Sequence, residues 1–244
     1  MNNWASGLPL VTVPRCDKAK AVTLVVPYYQ NWDFFQFQLS VWRAYPEDVH
    51  RHLRIIVVDD GSPSPAPKPY LFPNLRLFRI EKDVRWNWLA ARNIGAHQAS
   101  EGWLILTDMD HVVPADTMRA VLYGQHNANL VYAFSRKEHT GGSIQPHSAS
   151  FLMTRETFWR IGGYDESLSG FYGSDGDYRR RAAKVAPFQV LSDVLIRHER
   201  IGDSSTTAYL RKQPEDAAVQ RIVKARGEHW QPKTLSFPYH EVTR

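Results

Sequence analysis

Four short apolar runs in the first half of the chain restrict its fold more than any other feature. They cover residues 21–27, 53–61, 75–80 and 102–108. Runs of this length, rich in valine, isoleucine and leucine, are typical of strands buried on both faces of a parallel sheet. Residues 31–45 and 87–100 are predicted to be helices between these strands. The order β-α-β-β-α-β predicts an α/β protein with a doubly wound, mostly parallel sheet.

The second half of the chain has a less regular pattern. A strand is predicted at 129–136, and the block 151–186 is predicted to contain a short strand, a turn, a polar loop and a helix. Another apolar run, 188–199, contains a histidine near its end. Residues 213–227 carry proline and acids at one end and basic residues and glycine at the other, which predicts a helix.

The composition excludes some kinds of site and leaves others open. Cys16 is the only cysteine, which rules out an internal disulfide and a zinc site built from cysteines. No apolar run approaches the length of a membrane span, and residues 1–20 lack a signal-peptide pattern, so we expect a soluble, cytoplasmic protein. The net charge of +5 suits DNA, RNA, an anionic membrane surface or a small anionic substrate, and residues 178–184 concentrate it.

Acidic residues follow two of the four predicted strands. Asp59 and Asp60 end the second run, and Asp108 and Asp110 end and follow the fourth. Ligands of doubly wound sheets bind beyond the carboxyl ends of the strands, so these acids are predicted to line one site. The pair Asp108 and Asp110 suits a hard divalent cation, which can clamp a diphosphate. The same spacing also occurs in solvated turns and helix caps.

Four segments, taken together in their order and spacing, resemble a known enzyme family. They are VTLVVPYYQN (22–31), IIVVDDGS (55–62), LAARNIGAHQASEGWLILTDMD (89–110) and FLMTRETFWRIGGYDESLSGFYGSDGDYRRRA (151–182). They resemble the family-2-like glycosyltransferases with the A-type nucleotide-sugar fold, over about residues 21–200. The resemblance implies a Rossmann-like sheet with a mixed acceptor-side half, and an inverting transfer of a sugar from a nucleotide sugar to an acceptor hydroxyl. A UDP-sugar is the expected donor, and Mn2+ or Mg2+ the expected cofactor.

The same resemblance sets the predicted domain organisation. Residues 21–202 would form the glycosyltransferase domain, with the nucleotide-binding half at 21–114 and the acceptor half at 115–202. Residues 1–20 would be an N-terminal extension, and residues 203–244 a C-terminal helix and tail that wraps the domain or a partner.

The family pattern implies a set of nucleotide contacts. The residues concerned are Pro27, Tyr28, Asp59, Asp60, Arg85, Arg92 and Asp108. Carboxylates at 59 and 60 can accept hydrogen bonds from a ring N–H of the base and from a ribose hydroxyl. Pro27 and Tyr28 would wall the base, and the two arginines would contact phosphate or the acid cluster. The structural alternatives are a plain turn for the acid pair, core packing for Tyr28, and surface or helix-capping roles for the arginines.

A metal site is implied by the family at three positions. Asp108 and Asp110 would hold the diphosphate through the cation, and His198 matches a late histidine that supplies a third metal contact in many relatives. Imidazole suits Mn2+ better than Mg2+. His111 lies next to the acid pair and is a lesser candidate. A lone histidine after a strand is more often structural.

Asp175 is implied as the catalytic base that removes the proton of the acceptor hydroxyl. The family commonly has Glu-Asp there, whereas this chain has Ser174-Asp175. Ser174 therefore takes the place of the glutamate that usually contacts the acceptor. Asp177 competes with Asp175 for the role of base. Phe171 and Tyr172 are the predicted aromatic acceptor contacts. The structural alternative for both acids is capping of the helix that follows.

The sequence also bears on the acceptor and on two alternative functions. The acceptor could be a glycan or a hydroxymethylated base in DNA, which the enzyme would have to expose. A nucleotidyltransferase would need a glycine-rich phosphate loop near the first strand, and residues 25–33 lack one. A non-catalytic nucleic-acid- or carbohydrate-binding protein would have lost the strand-end acids, and this chain keeps them.

Overall fold

The structure is a computed structural model of the 244-residue chain. It describes residues 4–67, 72–171, 173–198 and 216–242. The strands are β1 (Leu10–Val11), β2 (Val22–Tyr28), β3 (Leu53–Asp59), β4 (Leu75–Ile80), β5 (Trp103–Leu106), β6 (His111–Val112), β7 (Val131–Glu138), β8 (Ser143–Ile144), β9 (Phe151–Thr154), β10 (Phe188–Arg197) and β11 (Tyr239–Glu241). The helices are α1 (Trp32–Arg43), α2 (Glu47–His52), α3 (Trp88–Gln98), α4 (Ala115–Tyr123), α5 (Arg155–Arg160), α6 (Asp175–Val185) and α7 (Asp216–Lys224), with a 3-10 turn at Glu166–Leu168.

The described strands join in one mixed sheet, in which nine follow the order β1-β10-β7-β9-β5-β2-β3-β4-β11, while β6 pairs with β10 and β8 with β7. β2 pairs in parallel with both β3 and β5, and β3 pairs in parallel with β4. On the other side, β9 runs antiparallel between β5 and β7. The chain therefore moves outward from β2 to β4 and returns to β5, which creates a topological switch point between β2 and β5. The predicted doubly wound α/β fold is confirmed.

Both chain ends contribute edge strands to this sheet. β1, from the predicted N-terminal extension, pairs in parallel with β10. β11, from the predicted tail, pairs antiparallel with β4. Because a paired edge no longer offers open backbone donors and acceptors, both segments are structural parts of the sheet.

Two hydrophobic clusters cover the two faces of the sheet. One contains side chains of α3, α5 and α6, and the other contains side chains of α1, α2 and α4. The contact between α3 and β2 requires glycine, because a Cβ at Gly95 would lie 2.2 Å from Val25 Cγ1. This close approach brings the residues of α3 next to the strand ends of the switch point.

The helix predicted at 31–45 differs in the structure. It ends at Arg43, and a second helix, α2, follows at Glu47–His52. Pro46 explains the break, because proline is favoured at a helix start and cannot continue the preceding helix. Among the described residues, none of the helices combines the length and apolar character that crossing a bilayer would require.

Candidate active site at the carboxyl ends of β2, β3 and β5

Asp108 lies just beyond β5 and is held by a buried arginine. Arg92 Nη2 donates a short hydrogen bond to Asp108 Oδ1, and the side chain of Arg92 has no exposed surface. Asp108 itself is 39% exposed, and its Oδ2 lies 3.4 Å from His147 Nε2. Of the two contacts predicted for Arg92, phosphate or the acid cluster, the structure has the second.

The guanidinium of Arg92 is fixed on several sides. It also donates to the backbone oxygen of Ala149 and, at 3.1 Å, to the hydroxyl of Tyr164. Its Cζ lies over the ring of Trp88, 4.6 Å from the ring centroid. A buried arginine with these partners holds the Asp108 carboxylate in one orientation, so the site does not have to order it when a ligand binds.

Asp110 is held by the residue that follows it. His111 Nδ1 lies 2.6 Å from Asp110 Oδ1, and Arg197 Nε lies 3.9 Å from Oδ2. Burial opposes ionisation, but His111, His147 and Arg197 outweigh it and lower the pKa of Asp110 to about 2. The carboxylate is therefore ionised at neutral pH, and its side chain is 41% exposed.

Gln38, on α1, clamps the turn that carries Asp110. Its Nε2 donates to the backbone oxygens of Met109, at 2.7 Å, and His111, at 2.9 Å. The side chain is buried in the described structure. The sequence prediction missed this residue, although a glutamine among the apolar positions of the buried face of α1 is the signal that could have identified it.

His147 is a second residue that the sequence prediction missed. Its ring stacks on His111 with the centroids 4.5 Å apart, and its Nδ1 lies 2.8 Å from Ser150 Oγ. Burial lowers the pKa of His147 to about 3, although the neighbouring Asp108 opposes that shift. The imidazole is neutral at physiological pH and adds a nitrogen beside Asp108 that can bind a metal ion.

His198, the predicted third metal contact, lies at the same edge of the sheet. Its backbone N–H donates to the backbone oxygen of Asp110 at 2.9 Å. Its ring stacks on His139 at 5.0 Å and packs against Phe37 at 4.7 Å. Burial, with the neighbouring His139, lowers the pKa of His198.

The donors at this edge fit a divalent cation by their chemistry. Two half-exposed carboxylates and neutral imidazoles are ligands that Mn2+ accepts. Within the part of the chain that the structure describes, no three acidic, cysteine or histidine side chains already converge on a common point. The carboxylates are instead paired with Arg92, His147, His111 and Arg197.

Asp59 forms the turn after β3, and both oxygens of its carboxylate are occupied, so neither is available to a nucleotide base. Asp59 Oδ1 accepts the backbone N–H of Ser62, and Oδ2 accepts that of Ala66 and Nη1 of Arg79, all at 2.8–2.9 Å. The side chain is 1% exposed. The structure therefore gives Asp59 the turn-forming role that was its alternative, because all its oxygens are satisfied within the fold.

Asp60 has a different environment from its neighbour. It is buried, and its Oδ1 has no hydrogen-bond partner among the described residues. Burial, reinforced by Asp59 and Asp83, raises the pKa of Asp60, whereas the backbone N–H of Asn87 lowers it. Asn87 is itself fully buried with an unpartnered Nδ2 in the described structure. Unsatisfied buried polar atoms are costly, and a pair of them next to a strand end indicates a ligand site.

The remaining predicted nucleotide contacts are less direct. Tyr28 is 3% exposed and packs in the hydrophobic core with its ring 5.5 Å from Phe35, so core packing is its role in this structure. Pro27 is partly buried next to it on β2. Arg85 is partly buried in the loop after β4, two residues before Asn87.

Asp175 is the first residue of α6 and is 26% exposed. Its Oδ2 lies 3.4 Å from Arg179 Nη2. Arg92 donates to the hydroxyl of Tyr164, and burial raises the pKa of that hydroxyl, with the charges of Asp108 and Asp175 adding to the shift and Arg92 opposing it. Tyr164 also stacks on Tyr178 of α6, with the ring centroids 4.1 Å apart.

Asp177 and Ser174 are turned away from solvent. Asp177 accepts from Arg181 at 3.0 Å and from Arg226 at 2.5 Å, and its side chain is 3% exposed. These ion pairs correct the prediction that Asp177 contacts the acceptor or competes as base, because both its oxygens are occupied inside the protein. Ser174 is 2% exposed, and its Oγ has no partner among the described residues, so its predicted acceptor contact stays a prediction.

The aromatic and basic residues around α6 complete the acceptor side. Phe171 is partly buried and packs against the core, and Tyr172 lies outside the described residues. Of the arginine run, Arg181 donates to Asp177 and to the backbone oxygens of residues 161 and 163. Arg179 lies over the ring of Trp4, and only Arg180 is exposed.

A comparison with protein-family models gives a match over most of the chain. The model described as "Glycosyl transferase family 2" matches residues 23–183, which is more than half of the chain. A search of curated protein sequences gives no match.

Solved structures share the fold at low sequence identity. TarS (residues 1–349) from S. aureus, in complex with UDP-GlcNAc, has a TM-score of 0.66 and 18% identity over 83% of this chain. A second structure of the same TarS fragment gives 0.57 and 16% over 73% of the chain. The mannosyltransferase PcManGT from Pyrobaculum calidifontis, in complex with GDP-Man and Mn2+, gives 0.59 and 18% over 90% of this chain and 69% of its own. This chain spans 65% and 60% of the two TarS structures, which is less than two thirds.

Proposed function

This chain belongs to glycosyl transferase family 2, and we propose that it transfers a sugar from a nucleoside-diphosphate sugar to an acceptor hydroxyl, with inversion at the anomeric carbon. One observation carries the proposal. Asp60, just after β3, offers a buried carboxylate oxygen that has no hydrogen-bond partner in the described structure, while Asp108 and Asp110, after β5 on the other side of β2, are half-exposed. A nucleoside diphosphate has a ring N–H that can donate to Asp60. Its diphosphate would lie at Asp108 and Asp110.

Asp60 would recognise the base. The unpartnered Oδ1 of Asp60 can accept the N3–H of uracil or the N1–H of guanine, and Asn87 Nδ2 can donate to a base or ribose oxygen. TarS was solved with UDP-GlcNAc and PcManGT with GDP-Man, so both bases occur among proteins of this fold. We expect uracil first, and the experiment below compares the two.

Asp108, Asp110 and His198 would hold a Mn2+ or Mg2+ ion, with His147 beside Asp108 as a further donor. When bound, such an ion neutralises the charge that develops on the departing diphosphate. Arg92 would keep Asp108 in place, and Gln38 would keep the Asp110 turn in place. Arg85 would contact phosphate from the loop after β4.

Asp175 would act on the acceptor. Its carboxylate takes the proton of the acceptor hydroxyl while that oxygen bonds to the anomeric carbon, and the bond from this carbon to the diphosphate oxygen breaks with its electron pair leaving on the diphosphate. Attack from the face opposite the leaving group inverts the configuration. Phe171 and Tyr172 would flank the acceptor.

A glycan hydroxyl is the acceptor that we propose. A duplex DNA acceptor would need a continuous basic surface to follow the phosphates. In the described structure, two of the three arginines at 179–181 are engaged with Asp175, Asp177 or Trp4, which leaves one exposed. Transfer to hydroxymethylated DNA, with salt-sensitive binding of the duplex, is the outcome that would replace the glycan.

A donor screen tests the proposal. The full chain is heated with UDP, GDP, UDP-sugars and GDP-mannose, each with and without Mn2+, and the best donor is then incubated with glycan and hydroxymethylated DNA acceptors for product analysis. We expect a uridine nucleotide with Mn2+ to raise the melting temperature most and a glycoside of inverted configuration to form. No stabilisation by any nucleotide would contradict the proposal.

A further inference from the structure

A segment after α7 crosses the acceptor half and contacts it through charged side chains. We call residues 226–236 the strap. Arg226 reaches two buried acids at once, donating from Nη1 to Asp177 Oδ1 at 2.5 Å and from Nη2 to Asp165 Oδ2 at 2.6 Å. Arg226 is 11% exposed, and its guanidinium lies 3.6 Å from the ring centroid of Trp230. One arginine therefore joins the strap, the start of α6 and the loop before the 3-10 turn.

Backbone donors of the strap add a second set of bonds to the same loop. The N–H of Lys233 donates to Asp165 Oδ1 at 3.1 Å. The N–H groups of Leu235 and Ser236 donate to the two oxygens of Glu166 at 2.8 and 2.7 Å. Glu166 is 4% exposed, and its oxygens find most of their donors in the strap. The loop at 165–166 thus depends on residues far along the chain for the pairing of two buried charges.

The acids that the strap holds lie next to the residues proposed to act on the acceptor. Asp177 follows Asp175 by two positions at the start of α6, and Asp165 lies in the loop that leads to Phe171. Arg226 shares Asp177 with Arg181, which also anchors the backbone oxygens of residues 161 and 163. The start of α6 is therefore fixed by a network that is complete only when Arg226 is in place.

We propose that the strap is a positioning element of the acceptor site, in which Arg226, by bridging Asp165 and Asp177, sets the place of the Asp175 carboxylate. This inference rests on the proposed function, because it takes Asp175 as the base. Arg226 touches neither donor nor acceptor, and it acts only through the two acids. Loss of the bridge leaves the donor site intact and misplaces the base, and a displacement of about 1 Å can lower a rate about 100-fold.

The test compares four variants of the full chain. Arg226→Met removes the bridge, and Arg226→Lys keeps the charge without the forked geometry. Tyr239→Leu is the control in the C-terminal region: it removes a hydrogen bond from Gln98 on α3 and a ring contact with Phe78 on β4. Asp175→Asn tests the base itself. Hydrolysis of UDP-GlcNAc and of GDP-mannose with Mn2+ is followed, together with calorimetric binding of UDP and GDP.

We expect Arg226→Met to lower kcat by about 10- to 100-fold while the donor KM and the nucleotide Kd change less than about twofold. Arg226→Lys recovers part of kcat. Tyr239→Leu lowers the melting temperature and leaves kcat unchanged well below it. Amide hydrogen exchange of residues 173–185 is faster in Arg226→Met than in Tyr239→Leu, and this readout requires no turnover.

The outcomes separate the two claims. Full turnover in Arg226→Met, or nucleotide binding that is lost together with turnover, overturns the positioning role. Full turnover in Asp175→Asn overturns the proposed base whatever the arginine variants do. If Arg226→Met does not fold, Arg226→Gln combined with Asp177→Asn removes one charge of each sign, and the same drop in kcat is expected; parental kcat in that double variant overturns the positioning role. If the parent protein hydrolyses neither donor, unchanged exchange at residues 173–185 in Arg226→Met overturns it.

Discussion

The donor half and the acceptor half of the site fix their acids in different ways. On the donor side, Asp108 is held by Arg92, sixteen positions earlier on the neighbouring helix, and Asp110 by the adjacent His111. On the acceptor side, Asp177 is held by Arg226, which is 49 positions further along the chain. Each donor-side acid thus has a nearby residue that holds it, with His147 and Arg197 as additional partners from farther along the chain, whereas Asp177 needs the C-terminal region for one of its two arginines.

This difference has a physical consequence. Short loops close at a small entropic cost, so the contacts of Arg92 with Asp108 and of His111 with Asp110 can form with the parallel strands themselves. The contacts of Arg226 with Asp165 and Asp177 need the strap in place, because this arginine belongs to it. We therefore expect changes on the donor side to affect ligand binding, and changes on the acceptor side to affect turnover and local stability.

The largest expected effect is the loss of the donor-side carboxylates. Asp108→Ala and Asp110→Ala each remove a charge that we assign to the cation and diphosphate, so hydrolysis and transfer should fall by about 1000-fold or more. Nucleotide release from the donor measures this. Asp116→Asn changes an exposed acid on α4 and should keep the parental rate. Equal rates in all three variants would contradict the assignment.

Asp175→Asn should have the next largest effect, on the other half of the site. The amide cannot take the acceptor proton, so kcat should fall by about 100- to 10 000-fold. The nucleotide Kd, measured by calorimetry, should remain as in the parent. Weaker nucleotide binding with an unchanged kcat would place Asp175 in the donor half and contradict its role as the base.

Gln38→Leu should loosen the turn that carries Asp110. Two hydrogen bonds to the backbone oxygens of Met109 and His111 are lost, which should lower the free energy of unfolding by about 2 kcal/mol and weaken nucleotide binding with Mn2+. Gln36→Leu, at an exposed position of the same helix, is the matched control. Equal nucleotide binding by Gln38→Leu and Gln36→Leu would contradict the role of Gln38 in holding the Asp110 turn.

Asp60→Asn should separate stability from binding. Burial raises the pKa of Asp60 above its usual value, so the ionised side chain destabilises the fold increasingly as the pH rises above about 4. The amide should raise the free energy of unfolding by about 1 kcal/mol at pH 8 and by nothing below pH 4. Nucleotide affinity should fall in the same variant. Denaturant titrations at the two pH values, with a nucleotide titration, measure both effects.

The smallest expected effect is the acid sensitivity of the strap. Burial opposes ionisation of Asp177, but Arg226 and Arg181 outweigh it and lower its pKa below 3.8. Its stabilising contribution is therefore complete above about pH 4 and is lost as the pH falls through the lowered pKa. As the pH is lowered from 7 to 3, the melting temperature should fall less steeply in Arg226→Met than in Tyr239→Leu. An equal pH dependence of the melting temperature in the two variants would show that the ion pair of Asp177 with Arg226 does not stabilise the protein.

The same contrast explains what could be predicted from the sequence. The strands at 22–28, 53–59 and 75–80 were predicted to within about two residues, because a buried parallel strand has a local apolar pattern. The acids after β3 and β5 follow directly from those strands. The pattern could not distinguish Asp59 from Asp60, because which of two adjacent carboxylates meets the turn donors depends on the path of the loop.

Long-range partners were the part that could not be predicted. Arg226 looks in the sequence like a basic residue at the end of a helix, which is its usual role. Its two acid partners are far away in the sequence, and no local period connects them. His147 lies in a glycine-bearing loop whose direction is set by the pairing of β7 with β8. Such contacts depend on tertiary packing.

The most direct test of the central claim is a calorimetric titration of UDP, with and without Mn2+, into the parent protein, Asp110→Ala and Asp175→Asn. We predict that Mn2+ strengthens UDP binding about tenfold or more in the parent and in Asp175→Asn, and that this gain is absent in Asp110→Ala. UDP binding with the same Mn2+ dependence in all three proteins would contradict the assignment of the donor site to the strand ends of β3 and β5.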